Sequence, residues 1–514
     1  MLNWIGGGKV DHPMADAKQV RQIIAELPAN DPGKALQEIT EWVESVNQTD
    51  GFKVDRRFEN LDLLDSAAKN HQRKLSQDYL SMPRLPKFQE NKLWNSVSGF
   101  WRALGDGYIL CVDLNEGGAG GATAVRKSLP AIIARALRVL TLQLKWLLLR
   151  YGPVEPRLWG ELARLYQIAE HKRFSDARIA VYPGAHGEST IKQEFLKSLM
   201  LAASSTDGLA PLKQQIAERA VAQFAAAFRL SRKPEGCNYC FDLTVPKPPV
   251  RLFQGVKEGP NIVFFGAGDA LAQLHRVTAQ VVQSGAIPGE INLGGAYEKD
   301  VVISTLKHLE HYWSDTPPAR ISERRKSSAR ITVVPGLAEI IGVLDPAISD
   351  ALDFSQEQSA ESWIVENVSD GGYGAIIPAV KADWIKVGAL IGVQNEGKSY
   401  WGVGMIRRIS RDERQQRRVG IQLLSKIAIP IKLARSSTAS GFNAGREPGS
   451  AILLSTAPDG HGEVGVVMRE GIFNARDSLE MMVREKTYLL MPSRMVEGGE
   501  DFDWAKFKVM QRAG

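Results

Sequence analysis

The sequence predicts a multidomain α + β protein, in which an all-helical N-terminal part precedes antiparallel β structure. Apolar residues recur at helical spacing in one segment after another from residue 1 to about residue 230. Beyond residue 330, short apolar runs alternate with glycine and polar residues, a pattern typical of antiparallel barrels. The length of 514 residues is enough for several domains with sizeable cores.

Composition and charge narrow the class of protein. The net charge of +6 is modest for this length and does not by itself indicate nucleic-acid binding. The chain has only three cysteines, which argues against a disulfide framework and fits a reducing compartment. The first residues contain no long apolar core and no secretory cleavage site, so we expect a cytoplasmic protein.

The most apolar stretch, residues 131–149, could form either a membrane span or a core helix. Arg135, Arg138 and Lys145 interrupt it at near-heptad spacing, which would place one narrow polar stripe on a helix. This pattern favours a buried amphipathic helix, and we expect no membrane span.

Local signals mark where several helices begin. Asp31 followed by Pro32 is typical of an N-cap with proline in the first helical turn. Thr190 and Gln193 have the spacing of a capping box. Because short connections join pairs of helices, the sequence predicts a bundle or a solenoid-like domain over residues 1–245, and no clean repeat period identifies a named repeat family.

Residues 246–318 have a mixed pattern. Residues 261–265 resemble a strand, 270–284 a helix capped by Gly285, and 301–313 a second helix. We expect this region to extend the helical domain and to end in a linker.

Cys237 and Cys240 form a single Cys-x-x-Cys pair. A structural zinc site needs four ligands and the sequence has no second pair, so simple packing is favoured over a metal or redox role. No nucleophile motif such as Gly-x-Ser-x-Gly occurs. We therefore expect no catalytic residue, no metal site and no enzyme activity.

Two motifs at the start of the β part carry the candidate site. The first is a basic cluster between residues 320 and 330 that runs directly into the apolar residues 331–334; its candidate ligand-binding members are Arg324, Arg325, Lys326 and Arg330. The second is an Asn-x-Ser-x-x-Gly sequence; its candidate members are Asn367, Ser369, Gly371 and Gly372. Together they could form one anion-binding mouth on a barrel.

These motifs resemble those of the bacterial PilZ family, whose members are receptors for the second messenger cyclic di-GMP. The family pattern is Arg-x-x-x-Arg before the first strand and Asp/Asn-x-Ser-x-x-Gly in the turn after the second. Asn367, Ser369 and Gly372 match the second motif, and the strand around Gly420 is similar to a later family strand. The resemblance implies a PilZ-like antiparallel β-barrel over residues 319–432 that binds cyclic di-GMP.

The residue chemistry suits such a ligand, which carries two phosphates and two guanines. An arginine fork can pair with phosphate or with guanine O6 and N7, and its plane can stack on a base. Asn367 offers a donor and an acceptor to a base edge, and Ser369 offers a hydroxyl. Gly371 and Gly372 allow a positive φ and a close approach of the backbone to a ligand.

The first motif leaves two alternatives. Arg330 stands where the second arginine of the family pattern should be, but Lys326 lies four residues before it and Arg325 five. Either Arg325 reaches the site through a one-residue bulge, or Lys326 replaces it. The planar, bidentate fork of arginine favours Arg325.

Residues 433–514 contain four or five further short apolar runs separated by turns. We interpret them as a second small β unit that packs against the first barrel or extends it.

The functional hypothesis is a cyclic di-GMP receptor that transmits binding to an unidentified protein partner of the helical domain. Repulsion among the clustered cations should leave their segment mobile in the free protein, and the ligand should order it. One alternative is a scaffold whose barrel has lost its ligand. Nucleic-acid binding through the arginines of residues 407–418 is disfavoured, because acidic residues lie among them and a solvated hairpin explains them.

Overall fold

The computed structural model describes residues 10–81, 86–182, 187–252, 256, 258–318, 323–345, 360–378, 384–435, 449–483 and 486–511. The chain divides into two compact units, residues 1–319 and 320–514. The division between helical and β structure that the periodicity predicts is confirmed, since the first unit is mainly helical and the second mainly β.

The first unit is built on eleven helices within the described residues. Their bounds are α1 Ala17–Glu26, α2 Pro32–Gln48, α3 Val54–Ser81, α4 Lys87–Glu116, α5 Ala122–Val125, α6 Leu129–Leu149, α7 Pro156–His171, α8 Ile191–Ala203, α9 Pro211–Phe224, α10 Ala270–Ser284 and α11 Lys299–Trp313. Their buried faces form one core that runs from Met14 to Trp313. None of the helices in the described part of the chain is long and apolar enough to span a membrane.

The predicted caps are confirmed. Asp31 accepts a hydrogen bond from the backbone N–H of Lys34 at 3.0 Å, and Pro32 is the first helical residue of α2. The Thr190 side chain accepts from the backbone N–H of Gln193 at 3.1 Å, and the Gln193 side chain accepts from the N–H of Thr190 at 3.1 Å. Each cap satisfies backbone donors that the first helical turn leaves unpaired.

Helix α6 is the buried helix that the sequence predicted, but its cations do not face solvent as a stripe. Each one pairs with a carboxylate of another helix, at 2.6 Å for Arg135 and Asp62, 2.8 Å for Arg138 and Glu194, and 2.9 Å for Lys145 and Glu218. A buried charge is tolerated only when it is paired, so these contacts fix how α3, α8 and α9 pack around α6.

A small sheet completes the first unit. Its strands are β1 Arg229–Ser231, β2 Tyr239–Asp242, β3 Val250–Arg251 and β4 Ile262–Gly266, in the order β1-β4-β2-β3. The predicted strand and the predicted Gly285 cap are both present, and Gly285 has φ +75°. Cys237 and Cys240 are free thiols buried beside Phe264. Among the described residues, no group of His, Cys, Asp and Glu is arranged to hold a metal ion.

The first barrel of the second unit has antiparallel strands β5 Arg325–Lys326, β6 Arg330–Pro335, β7 Glu361–Ser369, β8 Gly372–Ile377, β9 Leu390–Asn395, β10 Gly402–Arg411 and β11 Arg417–Ser425. The order is β5-β7-β6-β9-β10-β11-β8, and β7 also pairs with β8. That last pairing closes β6 to β11 into a ring of six strands. The short strand β5 lies beyond β6 along the same edge of β7.

The second barrel is closed as well. Its strands are β12 Ile429–Arg435, β13 Ser450–Leu453, β14 Glu463–Arg469, β15 Leu479–Val483, β16 Lys486–Gly498 and β17 Phe502–Gln511, in the order β12-β13-β14-β17-β16-β15. Strand β12 extends across residue 432, which the sequence predicts as the end of the first barrel. All the pairing of β12 is with strands of the second barrel.

A short helix that the sequence did not indicate joins the two barrels. Helix α12, Gly336–Leu344, follows β6 directly, and its apolar side packs in a core shared by strands of both barrels. Asp501 caps it by accepting from the N–H of Leu337 at 2.7 Å. Arg407 of the first barrel also binds both carboxylate oxygens of Glu497 in the second, at 2.7 and 2.8 Å.

Candidate nucleotide-binding face

The Asn-x-Ser-x-x-Gly sequence forms the tight connection between β7 and β8. Ser369 pairs with Gly372 across it, and the Ser369 hydroxyl donates to the Gly372 carbonyl at 3.3 Å. A Cβ at Gly372 would collide with the carbonyl oxygen of Ile421, so only glycine fits there. At Gly371 the structure does not show the positive φ that the sequence predicts. Its φ is not positive, and a Cβ there would meet nothing within 4 Å.

A β-bulge determines where Asn367 points. Val365 pairs with Ala375 and Asn367 pairs with Gly374, so Glu366 is an extra residue in β7. Val365 and Ala375 are buried inside the barrel, and the next pair, Asn367 and Gly374, therefore lies on the outer face.

The Asn367 side chain lies over Gly374. A Cβ at Gly374 would be 2.6 Å from the Asn367 Oδ1 and 2.7 Å from its Nδ2. The Oδ1 atom is buried and has no hydrogen-bond partner among the described residues. An acceptor of this kind is costly to leave unpaired, so a ligand N–H is an obvious partner for it.

Strand register extends this pair into a row of five residues on the outer face. The direct cross-strand neighbours are, in order, Lys326, Asn367, Gly374, Gly420 and Arg408. Residues that pair directly in a sheet share one face with their Cβ atoms about 5 Å apart. The two glycines leave a low floor between Asn367 and Arg408. A Cβ at Gly420 would make only an ordinary 3.5 Å contact with Arg408, so the packing of the protein does not itself require glycine there.

A parallel row lies next to it on the same face. Its members are Arg330, Ile364, Ile376, Arg418 and Ser410. Ile364 is 44% exposed, which is unusual for isoleucine in a strand. We call the two rows together the outer face. It has glycine and isoleucine in the middle and cations on both sides.

The outer face contains Lys326 and not Arg325. Arg325 pairs with Val368, which in turn pairs with Tyr373, and the Tyr373 hydroxyl accepts a hydrogen bond from the Asn395 side chain at 3.0 Å. Because side chains alternate along a strand, Arg325 points to the side opposite Lys326. Arg324 immediately precedes β5 and is exposed.

The charges on the outer face are unequally compensated. Arg418 lies 3.4 Å from a carboxylate oxygen of Glu366 and 3.4 Å from one of Asp412. Lys326 and Arg330 are exposed and make no ion pair with any residue that the structure describes. The β5 and β6 side of the face therefore carries positive charge suited to phosphate.

Sequence reasoning did not identify Gly374, Arg408 or Arg418 as part of the site. In the sequence, Gly374 is only the last residue of a Gly-Tyr-Gly run, which does not indicate a role. Arg408 and Arg418 were interpreted as a solvated hairpin, and only the pairing of β10 and β11 with β8 brings them to the outer face.

A closed antiparallel barrel with an Asn-x-Ser-x-x-Gly hairpin and adjoining cations defines a nucleotide-binding domain of the PilZ type. Comparison with protein-family models agrees. Residues 348–430 match the model described as the cyclic-di-GMP receptor FimW, middle PilZ domain, and residues 18–235 match the model described as its N-terminal domain. The two matches cover more than half of the chain, which belongs to this family of multidomain, PilZ-containing cyclic di-GMP receptors. No curated protein matches the chain.

The family match makes cyclic di-GMP the ligand of the chain. The match to the PilZ model begins at residue 348, after the basic cluster. Strands β5 and β6 nevertheless belong to the same barrel, since both pair with β7.

Proposed function

We propose that cyclic di-GMP binds on the outer face, where Lys326, Arg330 and Asn367 hold it. The observation that carries this proposal is the row in which Lys326 and Asn367 are direct neighbours and the two glycines follow. Ser369 and Gly372 act indirectly, because they shape the hairpin that presents Asn367.

Each side chain has a distinct chemical task in this proposal. Arg330 pairs with a phosphate or with the O6 and N7 edge of a guanine, and Lys326 supplies a point charge to a phosphate. The unpaired Oδ1 of Asn367 accepts from a guanine N–H. A guanine lies over Gly420, which has no side chain, with the apolar side chain of Ile376 beside it, and Arg408 closes the far side.

The proposal extends to transmission of the signal. Arg330 is the first residue of β6, and β6 continues without interruption into α12, which packs on both barrels. The basic segment also follows the helical unit directly in the chain, so a ligand bound to it acts on the segment that connects the two units in sequence. We assign the response to a protein partner of the helical domain in the cytoplasm, and assign no catalytic step to the chain.

A groove in the helical unit supports a partner site there. It encloses about 250 Å³ between α4, α6 and α7. Its floor includes Trp94, Leu140 and Leu158, and its rim includes Arg102 and Glu161. An apolar floor with a charged rim of both signs is the usual composition of a transient protein interface.

The domain boundaries remain a proposal: 1–245, 246–318, 319–432 and 433–514. The pairing of β12 with β13 and β15 supports moving the last boundary to a point before residue 429.

The deciding experiment is a calorimetric titration of the full chain with cyclic di-GMP. We expect Arg330→Ala to weaken binding about ten- to a hundredfold, because a charged hydrogen bond contributes roughly 1.5–3 kcal/mol. The matched control is Arg414→Ala, which removes an exposed arginine from the β10–β11 hairpin of the same barrel and should leave the affinity unchanged.

Wild-type affinity in Arg330→Ala, with both variants folded, would contradict the site. A wild-type chain that binds no cyclic di-GMP would favour the scaffold alternative. Preferential binding of single-stranded nucleic acid in a parallel titration, lost on neutralising Arg408 and Arg418, would favour the nucleic-acid alternative.

A further inference from the structure

The second barrel presents methionine side chains to solvent on three neighbouring strands. Met482 of β15 is 54% exposed, Met491 of β16 is 43% exposed and Met510 of β17 is 51% exposed. The adjacent residues Met481 and Leu490 face inward and are buried in the barrel core. Because side chains alternate along a strand, the exposed methionines must face outward.

Register makes these side chains one surface. Leu489 pairs directly with Met510. Met482 pairs with Thr487, which makes it a diagonal neighbour of Leu489, and Met491 pairs with Lys508, which makes it a diagonal neighbour of Met510. Diagonal neighbours on one face are about 7 Å apart, within reach of long side chains. We call Met482, Leu489, Met491 and Met510 the methionine patch. Contiguous exposed apolar side chains of this kind mark interaction sites more often than isolated ones do.

Two lysines border the methionine patch. Lys432 is the direct cross-strand neighbour of Met482, and Lys508 is that of Met491. Both are exposed and form no ion pair with any residue in the described ranges. Among the described residues that pair directly with members of the patch, Glu480 is the one carboxylate, against the two lysines. The charge around the patch therefore complements an acidic partner.

The architecture limits how a partner can bind. Every strand of the second barrel pairs on both sides, so the described strands offer no free edge to which an extended peptide could add. Recognition must then come from side chains alone. Methionine is flexible and polarisable, and surfaces rich in it adapt to the apolar stripe of an amphipathic helix.

We propose that the methionine patch binds an amphipathic helix of a partner protein, with the apolar stripe of the helix on the methionines and flanking Asp or Glu residues beside Lys432 and Lys508. This site is separate from the outer face of the first barrel and from the groove in the helical unit, and nothing about cyclic di-GMP binding is required for it.

The test uses the full chain and three labelled synthetic peptides of about 18 residues, long enough to form a helix. The first has leucines at helical i, i+3, i+4 and i+7 positions flanked by glutamate, the second has lysine in place of glutamate, and the third is a scramble of the first. Fluorescence anisotropy should show micromolar binding of the acidic peptide, weaker at higher ionic strength, and no comparable binding of the other two.

Two variants should weaken binding of the acidic peptide at least about tenfold, Met482→Glu and Met510→Glu, since central apolar anchors dominate such interfaces. The matched control is Ile427→Glu, which adds the same charge at a side chain that is 50% exposed and lies just before the start of β12. All three variants should keep the wild-type circular dichroism and the wild-type affinity for cyclic di-GMP, which shows that they fold.

Three results would overturn the proposal. One is failure of the acidic peptide to bind, or equal binding of the basic peptide. Another is sedimentation that shows the wild-type chain self-associating through this surface, with Met510→Glu monomeric, which would assign the patch to a second copy of the chain. The third is patch-dependent co-sedimentation with vesicles containing anionic lipid in the absence of peptide binding, which would assign it to a membrane surface.

Discussion

At the scale of single residues, side-chain chemistry and strand register favour different residues for the first motif position. Arginine is the better ligand for phosphate and guanine, which favours Arg325. Register places Lys326 beside Asn367 and turns Arg325 to the opposite side. Because a side chain that points away from the ligand cannot use its chemistry, we propose that Lys326 is the one of the two that contacts the ligand.

We therefore expect Lys326→Ala to weaken cyclic di-GMP binding about tenfold and Arg325→Ala to change it less than threefold, by calorimetry on the full chain. Lys326→Arg should bind more tightly than the wild type, because it adds a planar fork at the same place. A larger loss at Arg325 than at Lys326 would show that a bulge brings Arg325 to the outer face in the bound state.

Gly374 provides a second test at this scale. Its missing Cβ makes room for the Asn367 amide, which lies 2.6 Å from the position that a Cβ would take. Gly374→Ala should displace this flexible side chain and weaken ligand binding roughly tenfold, at a cost in folding free energy of less than about 1 kcal/mol. Gly371→Ala is the matched control and should leave both affinity and thermal stability unchanged. Equal affinities of the two variants would exclude Asn367 from the site.

The motif residues Asn367, Ser369 and Gly372 could be found from the sequence because a tight hairpin is a local structure. Arg408 and Arg418 could not, since their place on the outer face depends on the pairing of β11 with β8, more than 40 residues away along the chain. A bulge such as that at Glu366 shifts which side chains face outward, and no local pattern signals it.

At the scale of elements, helix α8 is held to α6 by a buried ion cluster. Glu194 is fully buried and contacts Arg138 at 2.8 Å and Lys197 at 2.8 Å. Burial alone would raise the pKa of Glu194, but the two cations outweigh it and lower the pKa from 4.5 to about 2.

The sign of the pH dependence follows from that shift. A carboxylate whose pKa is lower in the folded state than in the unfolded state stabilises the fold above the unfolded pKa, and this contribution disappears as the pH falls from about 4.5 to about 2. We expect Glu194→Gln to lower the free energy of unfolding by about 3 kcal/mol at neutral pH, with the difference from the wild type shrinking across this acid window.

Chemical denaturation at several pH values measures this effect. Glu188→Gln, at an exposed glutamate before α8, is the control and should change the free energy of unfolding by less than about 0.5 kcal/mol at every pH. If the free energy of unfolding differs between Glu194→Gln and the wild type by the same amount from neutral pH to pH 2, the substitution disturbs packing and the charge of Glu194 contributes little.

Helix boundaries with their own caps, such as those of α2 and α8, were predictable because the cap residues lie within the first turn. Helix α12 was not, because its nine residues are apolar on most sides and its cap, Asp501, comes from the other end of the second unit. The same reason explains β12, whose partners β13 and β15 lie further along the chain.

At the scale of the whole molecule, the sequence correctly predicted helical structure followed by two β units. It could not indicate that the two barrels share a core through α12, since that depends on side chains that are far apart in sequence. The described part of the basic segment has regular pairing with the barrel. Ser327 N–H donates to the Glu366 carbonyl at 3.0 Å, and Val365 N–H donates to the Ala329 carbonyl at 2.9 Å. From residue 325 onward, the segment is therefore attached to β7.

That attachment changes the form of the transmission we propose. Strand β5 is only two residues long and both of its side chains are exposed, so few contacts hold it and it should open readily. A ligand that binds Lys326 and Asn367 together would close it, because it interacts with the paired state more strongly than with the open one. Hydrogen exchange should then slow on cyclic di-GMP binding in residues 323–331 as well as 366–374, and exchange on the helical unit should change with it. With cyclic di-GMP at a concentration that saturates both proteins, Lys326→Ala should keep the unliganded exchange rate in residues 323–331 while residues 366–374 are still protected. Protection restricted to 366–374 in the wild type would mean that the barrel binds its ligand without passing the signal through β5.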